Sequence, residues 1–586
     1  MYKRQQLKSK APEAFLADFP EYSPVLLQLL YQRGLTTQSQ IDEFFNPDYD
    51  GDLHDPFLML GVKEAVKRLN KAIKKKEKIA IFGDYDADGV CGAVILKTVL
   101  KEVGADVSGG IYVPDRLREG YGLNPEAIKQ IAKDKVKILL TVDCGIRDLA
   151  DVKLAKDLGL EVIITDHHLP ADKLPKAVAI VDPWQAQDKY PFKELAGAGV
   201  AFKLAQALLK DSEKIKPGWE KWLLDLVALA TVADCVPLLG ENRTLVRYGL
   251  VVLAQTQRLG LQELMKAARL NPSYEAETLW TNLDTYSLGF VMAPRLNAAG
   301  RIEHADMAVE LLLTQDRVRA RELAQKIDKH NKVRQKMTDD IVAEIERRVA
   351  DKLDDRQNPV IVESDKTWSR GVVGLVAGKV ADKYHRPTFV FSAADEEEAG
   401  VWRGSARSIA SINIVEAIGQ CQDLLREFGG HAGAAGLELA AENFEAFKEK
   451  INEVIVKKLK PEDLKRVLEV DFEVTPEDVN WELFDNLERF EPFGRDNERP
   501  LWLLKNMDIA SLRLVGNGSK HLKLELKHAA LPNKTFRAIG FGLAVKNGGG
   551  NLAVGDTIDI VFELIADEWN GTRNLQLKII DFKKVS

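Results

Sequence analysis

Between Lys78 and Asp182 the chain alternates short apolar runs with stretches of helical period: KIAIF, then VCGAVILKTVLKEV, GGIYV, KILLTVD, VKLAKDLG, EVIITD and AVAIVD. Strands and helices in this rhythm build an α/β fold around a parallel sheet, because each helix crosses back to start the next strand in the same direction. Open sheets of this kind bind ligands beyond the carboxyl ends of their strands. The motif GDYDADG at 83–89, Asp143 and Asp166 all fall at such ends. The place where chemistry is expected is therefore set before any motif is interpreted.

A chain of 586 residues has room for three or four modules, since domains run to about 100 to 200 residues. GAGVAFKLAQALL and WLLDLVALATVAD read as helices, and the stretch from Asp316 to Leu353, free of Pro and Gly, reads as one long helix. Val318, Leu323, Ile327, Met337, Ile341, Ile345, Val349 and Leu353 give it an apolar stripe on a polar rod, which suits a bridge between domains. Its basic run from Lys326 to Lys336 is either a nucleic-acid contact or a solvated face. A second, smaller α/β unit follows, with PVIVES, the helical GVVGLVAGKVADKY, PTFVF, VWRGSAR and the glycine-rich GGHAGAAG. Beyond about Pro461 short β runs (HLKLELKH, FRAIGFG, TIDIVFEL, LQLKIIDF) separated by Asn and Gly turns predict a five-stranded barrel. The first 55 residues yield only some helix.

Composition narrows the function classes. With 45% hydrophobic and 29% charged residues the chain is that of a folded protein. MYKRQQLKSK has no apolar core of a signal peptide, and no apolar run approaches the roughly 18 residues of a membrane span, so neither secretion nor membrane anchoring is expected. Four scattered cysteines without a C-x-x-C pair argue against disulfides or structural zinc and for a reducing, cytoplasmic setting. Cys91, Cys144 and Cys235 lie beside acidic motifs, as small buried fillers or as soft-metal ligands. The net charge of −7 conceals a gradient: residues 500–586 hold twelve basic and eight acidic side chains, so residues 1–499 carry −11. An acidic metal-binding body with a basic strand-binding tail would have this distribution, as would solvated surface charge.

Three carboxylates at alternate positions, Asp84, Asp86 and Asp88, follow the first buried strand. They form either a Mg²⁺ or Mn²⁺ site, with Gly83 and Gly89 allowing the tight turn, or a polar turn in which Asp88 caps the next helix. An EF-hand is excluded, because Ile95 stands where that loop requires Glu. Asp143 ends KILLTVD, and Asp166-His167-His168 ends EVIIT; adjacent histidines beside an Asp at a strand end point to a metal site more than a lone histidine would. Asp234 closes an apolar helix and needs a partner, for which a cation serves best.

Taken together, GDYDADG, Asp143, DHH at 166–168 and Asp234 resemble the DHH phosphoesterase superfamily, and PRLNAAGR, GSARS and GGHAGAAG in that order resemble the RecJ single-strand exonucleases. The resemblance runs from about Phe57 to the C-terminus. It implies an N-terminal segment (1–55), a DHH catalytic domain (56–315), a connecting helix (316–354), a DHH-associated domain (355–460) and an OB-fold-like nucleic-acid-binding domain (461–586). The implied activity is two-metal, Mn²⁺- or Mg²⁺-dependent hydrolysis of single-stranded DNA, 5′ to 3′, to mononucleotides in repair and recombination, alongside a single-strand-binding protein and a helicase. Asp84, Asp86, Asp143, His167 and Asp234 are the implied ligands. His168 is the implied catalytic histidine, with Asp166 catalytic or orienting a histidine from behind. Arg295, Arg301, Ser405 and Arg407 would bind phosphate, Arg116 and Tyr121 would face the 5′ end, and His431 would approach the scissile phosphate.

Two positions depart from the family pattern: Ser369 replaces a histidine, and PFGRDNERP lacks a glycine and a proline of the usual motif. Neither is a metal position. A small-substrate DHH phosphodiesterase is disfavoured by the C-terminal barrel, whose stretch from Lys505 to Lys546 has eight basic and two acidic residues. A scaffold that lost catalysis is disfavoured by the intact set of ligands.

Overall fold

The computed structural model describes residues 2–585 apart from Leu117, Asp211, Glu213, Asp351, Asp355, Arg356, residues 394–399 and 546–550, Asn570 and Gly571. The chain forms two compact units, one of Pro47–Pro461 and one of Met1–Asn46 with Glu462–Ser586.

The larger unit is built on the expected parallel sheet. Its five strands lie in the order Ile111–Tyr112, Ile79–Gly83, Ile138–Val142, Glu161–Thr165 and Ala179–Val181. The three central strands are apolar apart from Glu161, Thr141 and Thr165, and buried apart from Glu161, as strands covered on both faces must largely be. Their register is flush: Gly83 pairs with Val142, Val142 with Thr165 and Thr165 with Val181. The next residue in each strand is aspartate, so Asp84, Asp143, Asp166 and Asp182 stand in one row along the carboxyl edge.

The long helix spans Arg317–Val349, capped by the Asp316 side chain on the backbone N–H groups of Val318 and Arg319. Leu323, Ala324 and Ile327 enter the core of the parallel-sheet region, whereas Ile341, Ile345 and Val349 enter a second core with Trp368, Val372 and Val376. Val318 departs from the expected stripe and is 66% exposed, because five residues separate it from Leu323 and the helical period turns it to the face opposite the buried Ala320, Leu323, Ala324 and Ile327. Lys326 and Lys332 are spent on Glu303 and Asp328. The second sheet has the order Leu425–His431, Ala434–Ala440, Val401–Arg407, Thr388–Ala393, Ile361–Asp365. The segment GGHAGAAG is the turn and flanks of its outer hairpin.

In the smaller unit five strands close into a ring: Trp502–Val515, His521–Lys527, Phe536–Gly540, Thr572–Lys584 and Thr557–Trp569, the last pairing back onto the first. Alternation is plain in His521–Lys527, where Leu522, Leu524 and Leu526 point inward and the intervening lysines and glutamate outward. The first residues of the chain form a strand, Tyr2–Leu7, parallel to Arg466–Val470. PFGRDNERP folds around buried Asn497, whose amide donates to the carbonyls of Phe490 and Pro492. Among the described residues, no helix is long and apolar enough to cross a membrane.

Candidate metal centre

The loop after Gly83 folds so that Asp86, not Asp88, caps the helix Ala87–Glu102: its Oδ1 accepts from the backbone N–H groups of Asp88 and Gly89 at 2.9 and 3.1 Å. Gly89 is obligatory here, since a Cβ would lie 2.6 Å from the backbone of Asp84. Asn297, in PRLNAAGR, fixes the loop from outside by accepting from the Ala87 N–H at 2.7 Å. Freed from capping, Asp88 is buried and accepts from the N–H groups of Gly197 and Ala198 at 2.6 and 2.7 Å, at the start of the helix Gly197–Leu209. Asp143 sits in the left-handed region, φ 61°, a conformation that Asp tolerates better than most residues.

These elements bring three overlapping groups of ligand atoms within 4.8 Å of one another: Asp84, Asp86 and Asp143; Asp88, His167 and Asp234; Asp143, His167 and His168. His167 Nε2 lies 3.1 Å from Asp143 Oδ1, 3.7 Å from Asp234 Oδ2 and 3.8 Å from Asp88 Oδ2. Asp84 Oδ1, Asp143 Oδ1 and His167 Nε2 are buried and have no hydrogen-bond partner. Burial and mutual repulsion push the Asp84 and Asp143 carboxyls well above the usual carboxylate range and Asp234 up to about 7. A divalent cation removes both penalties at once, and a set of oxygens with one imidazole suits Mn²⁺, or Mg²⁺ with waters. None of the three groups contains a cysteine; Cys91 and Cys144 are buried packing residues and Cys235 is exposed.

Asp166 is committed to the protein. Its Oδ1 accepts from the backbone N–H groups of His167 and His168 and lies 2.8 Å from His168 Nδ1, and its Oδ2 accepts from the Ile146 N–H. Burial opposes its ionisation, but these hydrogen bonds and the two imidazoles hold its carboxyl below the usual range. An ionised Asp166 fixes His168 with Nδ1–H toward it and Nε2 free. The Tyr121 hydroxyl donates to the Asp143 carbonyl at 2.9 Å and lies 3.2 Å from His168 Nδ1, so the half-exposed ring is a wall beside the histidines.

Three of the four arginines singled out in the sequence gather near the carboxylates. Arg116 lies over the Tyr85 ring at 4.5 Å. Arg301 donates to the Gly371 carbonyl, and burial with the repulsion of Arg116 and Arg334 lowers its guanidinium to about 9. Arg407 is lowered by burial and by Arg116. Ser405 is close by: a Cβ on Gly374 would lie 3.1 Å from its Oγ and 3.5 Å from Arg407 Nη2. Arg116 and Tyr121 also line a cavity of about 530 Å³ with Arg370, Arg403 and Phe428. Arg295 does not join this group; it pairs with Asp328 at 3.0 Å and donates to the Val291 carbonyl. His431 is exposed at its hairpin turn, where Nδ1 accepts from the Gly433 N–H.

Asp182 is the acidic residue of the site that motif reading leaves aside. Asp182 is fully buried, raised to about 8 by burial and by Asp166, and its Oδ2 has no partner. The signal that finds Asp143 and Asp166, an aspartate one residue beyond a buried strand, finds Asp182 as well.

Comparison with known proteins bears on the whole chain. Family models match in order: the DHH family N-terminal domain at 78–231, the DHHA1 domain at 357–457 and the RecJ OB domain at 470–581. A single-stranded-DNA-specific exonuclease RecJ of Bacillus subtilis is 40% identical over 95% of this chain and 68% of its own length. The RecJ of Salmonella typhimurium is 33% identical over 99% of both chains. The crystal structure of Thermus thermophilus RecJ in complex with Mn²⁺ superposes with a TM-score of 0.81 at 29% identity, covering 100% of this chain and 80% of that one. With the order of its domains, its end-to-end similarity and its backbone all in agreement, the chain belongs to the RecJ family.

Proposed function

We propose that the chain is a divalent-metal-dependent exonuclease that degrades single-stranded DNA from its 5′ end to 5′-mononucleotides, in DNA repair and recombination. The observation that carries this reading is the set of buried atoms without a hydrogen bond on Asp84, Asp143 and His167, beside arginines that burial and mutual repulsion hold below their ordinary range. In this reading Asp84, Asp86, Asp143, His167 and Asp234 hold two Mn²⁺ or Mg²⁺ ions. Bound there, the ions supply Lewis acidity, making a water nucleophilic and neutralising charge on the leaving oxygen.

The protein's own part is positioning. Asp88 ties the ligand loop to the helix Gly197–Leu209. Asp166 holds His168 so that Nε2 faces a phosphate oxygen or takes a proton. Arg116, Arg301, Ser405 and Arg407 bind the phosphates of the 5′-terminal nucleotide, and Tyr121 stacks against it. His431 reaches the scissile phosphate from the hairpin turn, whereas Arg295 acts at one remove by holding its helix against the long helix through Asp328. Residues 56–315 are the catalytic domain, 316–354 the connecting helix, 355–460 the DHH-associated domain and 461–586 the strand-binding domain, preceded by the segment 1–55. A cytoplasmic location and recruitment by a single-strand-binding protein and a helicase belong to the same proposal.

The experiment is digestion of single strands labelled at either end, with Mn²⁺ or Mg²⁺ and with EDTA. Labelled mononucleotide should appear at once from the 5′ label and last from the 3′ label, and not at all in EDTA. Equal release from both ends would overturn the polarity, and hydrolysis in EDTA the metal.

A further inference from the structure

We infer that Tyr286 and Phe290 form a base-stacking platform for nucleotides of single-stranded DNA next to the metal centre. The inference rests on the exonuclease reading and adds to it a binding site outside the phosphate contacts.

Ser287–Met292 is one turn of π-helix leading into the helix Ala293–Ile302. Such turns are rare and concentrate at functional sites. Tyr286 and Phe290, four residues apart, stack with ring centroids 5.2 Å apart and planes 18° from parallel. They are 63% and 70% exposed, the two most exposed aromatic side chains among the described residues. A pair of large apolar rings left in water has no role in the core, and its energetic logic lies in something that covers it.

Position selects the occupant. Gly289, between the rings, packs against the helix Leu224–Ala233, where a Cβ would lie 3.3 Å from Val232, two residues before Asp234. Asn297, seven residues after Phe290 in the helix that the π turn leads into, holds the loop that carries Asp84 and Asp86. With a rise of about 1.5 Å per residue, Phe290 stands about 10 Å and Tyr286 about 16 Å along their helix from the point where it touches that loop. A strand whose scissile phosphate sits at the metal centre passes these distances within two or three nucleotides. Every base has a π-face, so stacking on such rings is tolerant of sequence. Only an unpaired strand presents its base faces one by one, so the same platform favours single strands over duplex.

The test is binding of the full-length protein in EDTA to fluorescent single strands, intact or with one abasic position moved stepwise from the 5′ end. The wild type should bind about ten-fold more weakly when the abasic position meets the rings. Tyr286→Ala/Phe290→Ala should bind intact DNA about ten-fold more weakly and lose its sensitivity at that position. Tyr286→Leu/Phe290→Leu, which keeps the apolar bulk and the helix, should behave the same way if stacking is the interaction. Wild-type binding by a folded variant, or an abasic penalty that persists in both variants, overturns the platform and leaves the rings to a protein partner. If the wild type neither binds nor degrades single strands, the exonuclease reading itself has failed and the platform falls with it. If the wild type does both and the variants match it, only the platform has failed.

Discussion

Two of the places where the larger unit buries charge are built in opposite ways. At the first, Lys203 and Glu241 are both fully buried, with Nζ 2.6 Å from Oε1. Glu241 also accepts from the Tyr190 hydroxyl at 2.6 Å and the His54 N–H at 2.7 Å, and Lys203 donates to the His54 carbonyl at 3.0 Å. At the second, along the carboxyl edge of the sheet, carboxylates face one another and Asp84, Asp143 and His167 each keep a buried atom without a hydrogen bond. A buried group without a partner costs more than one with, so the first arrangement needs nothing further while the second is complete only when a cation fills it. The difference separates a structural ion pair from a binding site without appeal to motif.

The largest expected effect breaks the comparison at the metal centre. Asp143→Asn should lower the rate of hydrolysis at least about a thousand-fold, since several kcal/mol of transition-state stabilisation pass through the ions it helps to hold. Its thermal midpoint in EDTA should nevertheless be no lower than that of the wild type, because one of several repelling carboxylates is gone and Asn tolerates the left-handed backbone there. Next in size, Lys203→Met should do the reverse. Urea unfolding should show a loss of about 3 to 5 kcal/mol, from leaving Glu241 without its cation, while the activity of the molecules that remain folded is unchanged.

How much of this was legible follows from which signals are local. Strand-end aspartates and the DHH triplet are local patterns, and they placed Asp84, Asp143, Asp166 and His167 at one edge. Capping depends on which residue begins the helix, a choice of two positions that the spacing of three aspartates does not decide. Asp86 therefore took the capping role for which the sequence offered Asp88 as the alternative to a metal ligand. The ring pair escaped because two apolar residues four apart read as a buried helical face, and only the folded chain shows Tyr286 and Phe290 in solvent. The strand Tyr2–Leu7 was illegible for another reason: its partner, Arg466–Val470, lies more than four hundred residues away.

Adding ions sharpens the contrast at smaller scale. Mn²⁺ at a hundred times its dissociation constant should stabilise the wild type by about 2.7 kcal/mol per site in thermal unfolding, and Asp143→Asn by much less. The smallest effect belongs to a third kind of pair, between buried Arg68 and the partly exposed Glu161. Glu161 is lowered from 4.5 to about 2, chiefly by its hydrogen bond to Arg68. Its pair contributes stability that is present above pH 4.5 and lost as the pH falls toward 2. Because Glu161 is a third exposed, solvent screening keeps that contribution below about 1 kcal/mol. Glu161→Gln should show a deficit of that size in urea unfolding at pH 7, shrinking between pH 4.5 and 3.

The central claim, that the carboxyl edge of the sheet is a cation site, is tested most directly by counting the ions it binds. Free Mn²⁺, followed by its electron paramagnetic resonance signal as the full-length protein is titrated, should fall by two ions per chain in the wild type. Binding should release protons, because the raised carboxyls of Asp84, Asp143 and Asp234 must ionise to take the metal. Folded Asp143→Asn should lose at least one of the two ions. Two ions bound equally well by Asp143→Asn, or none bound by the wild type, would contradict the account.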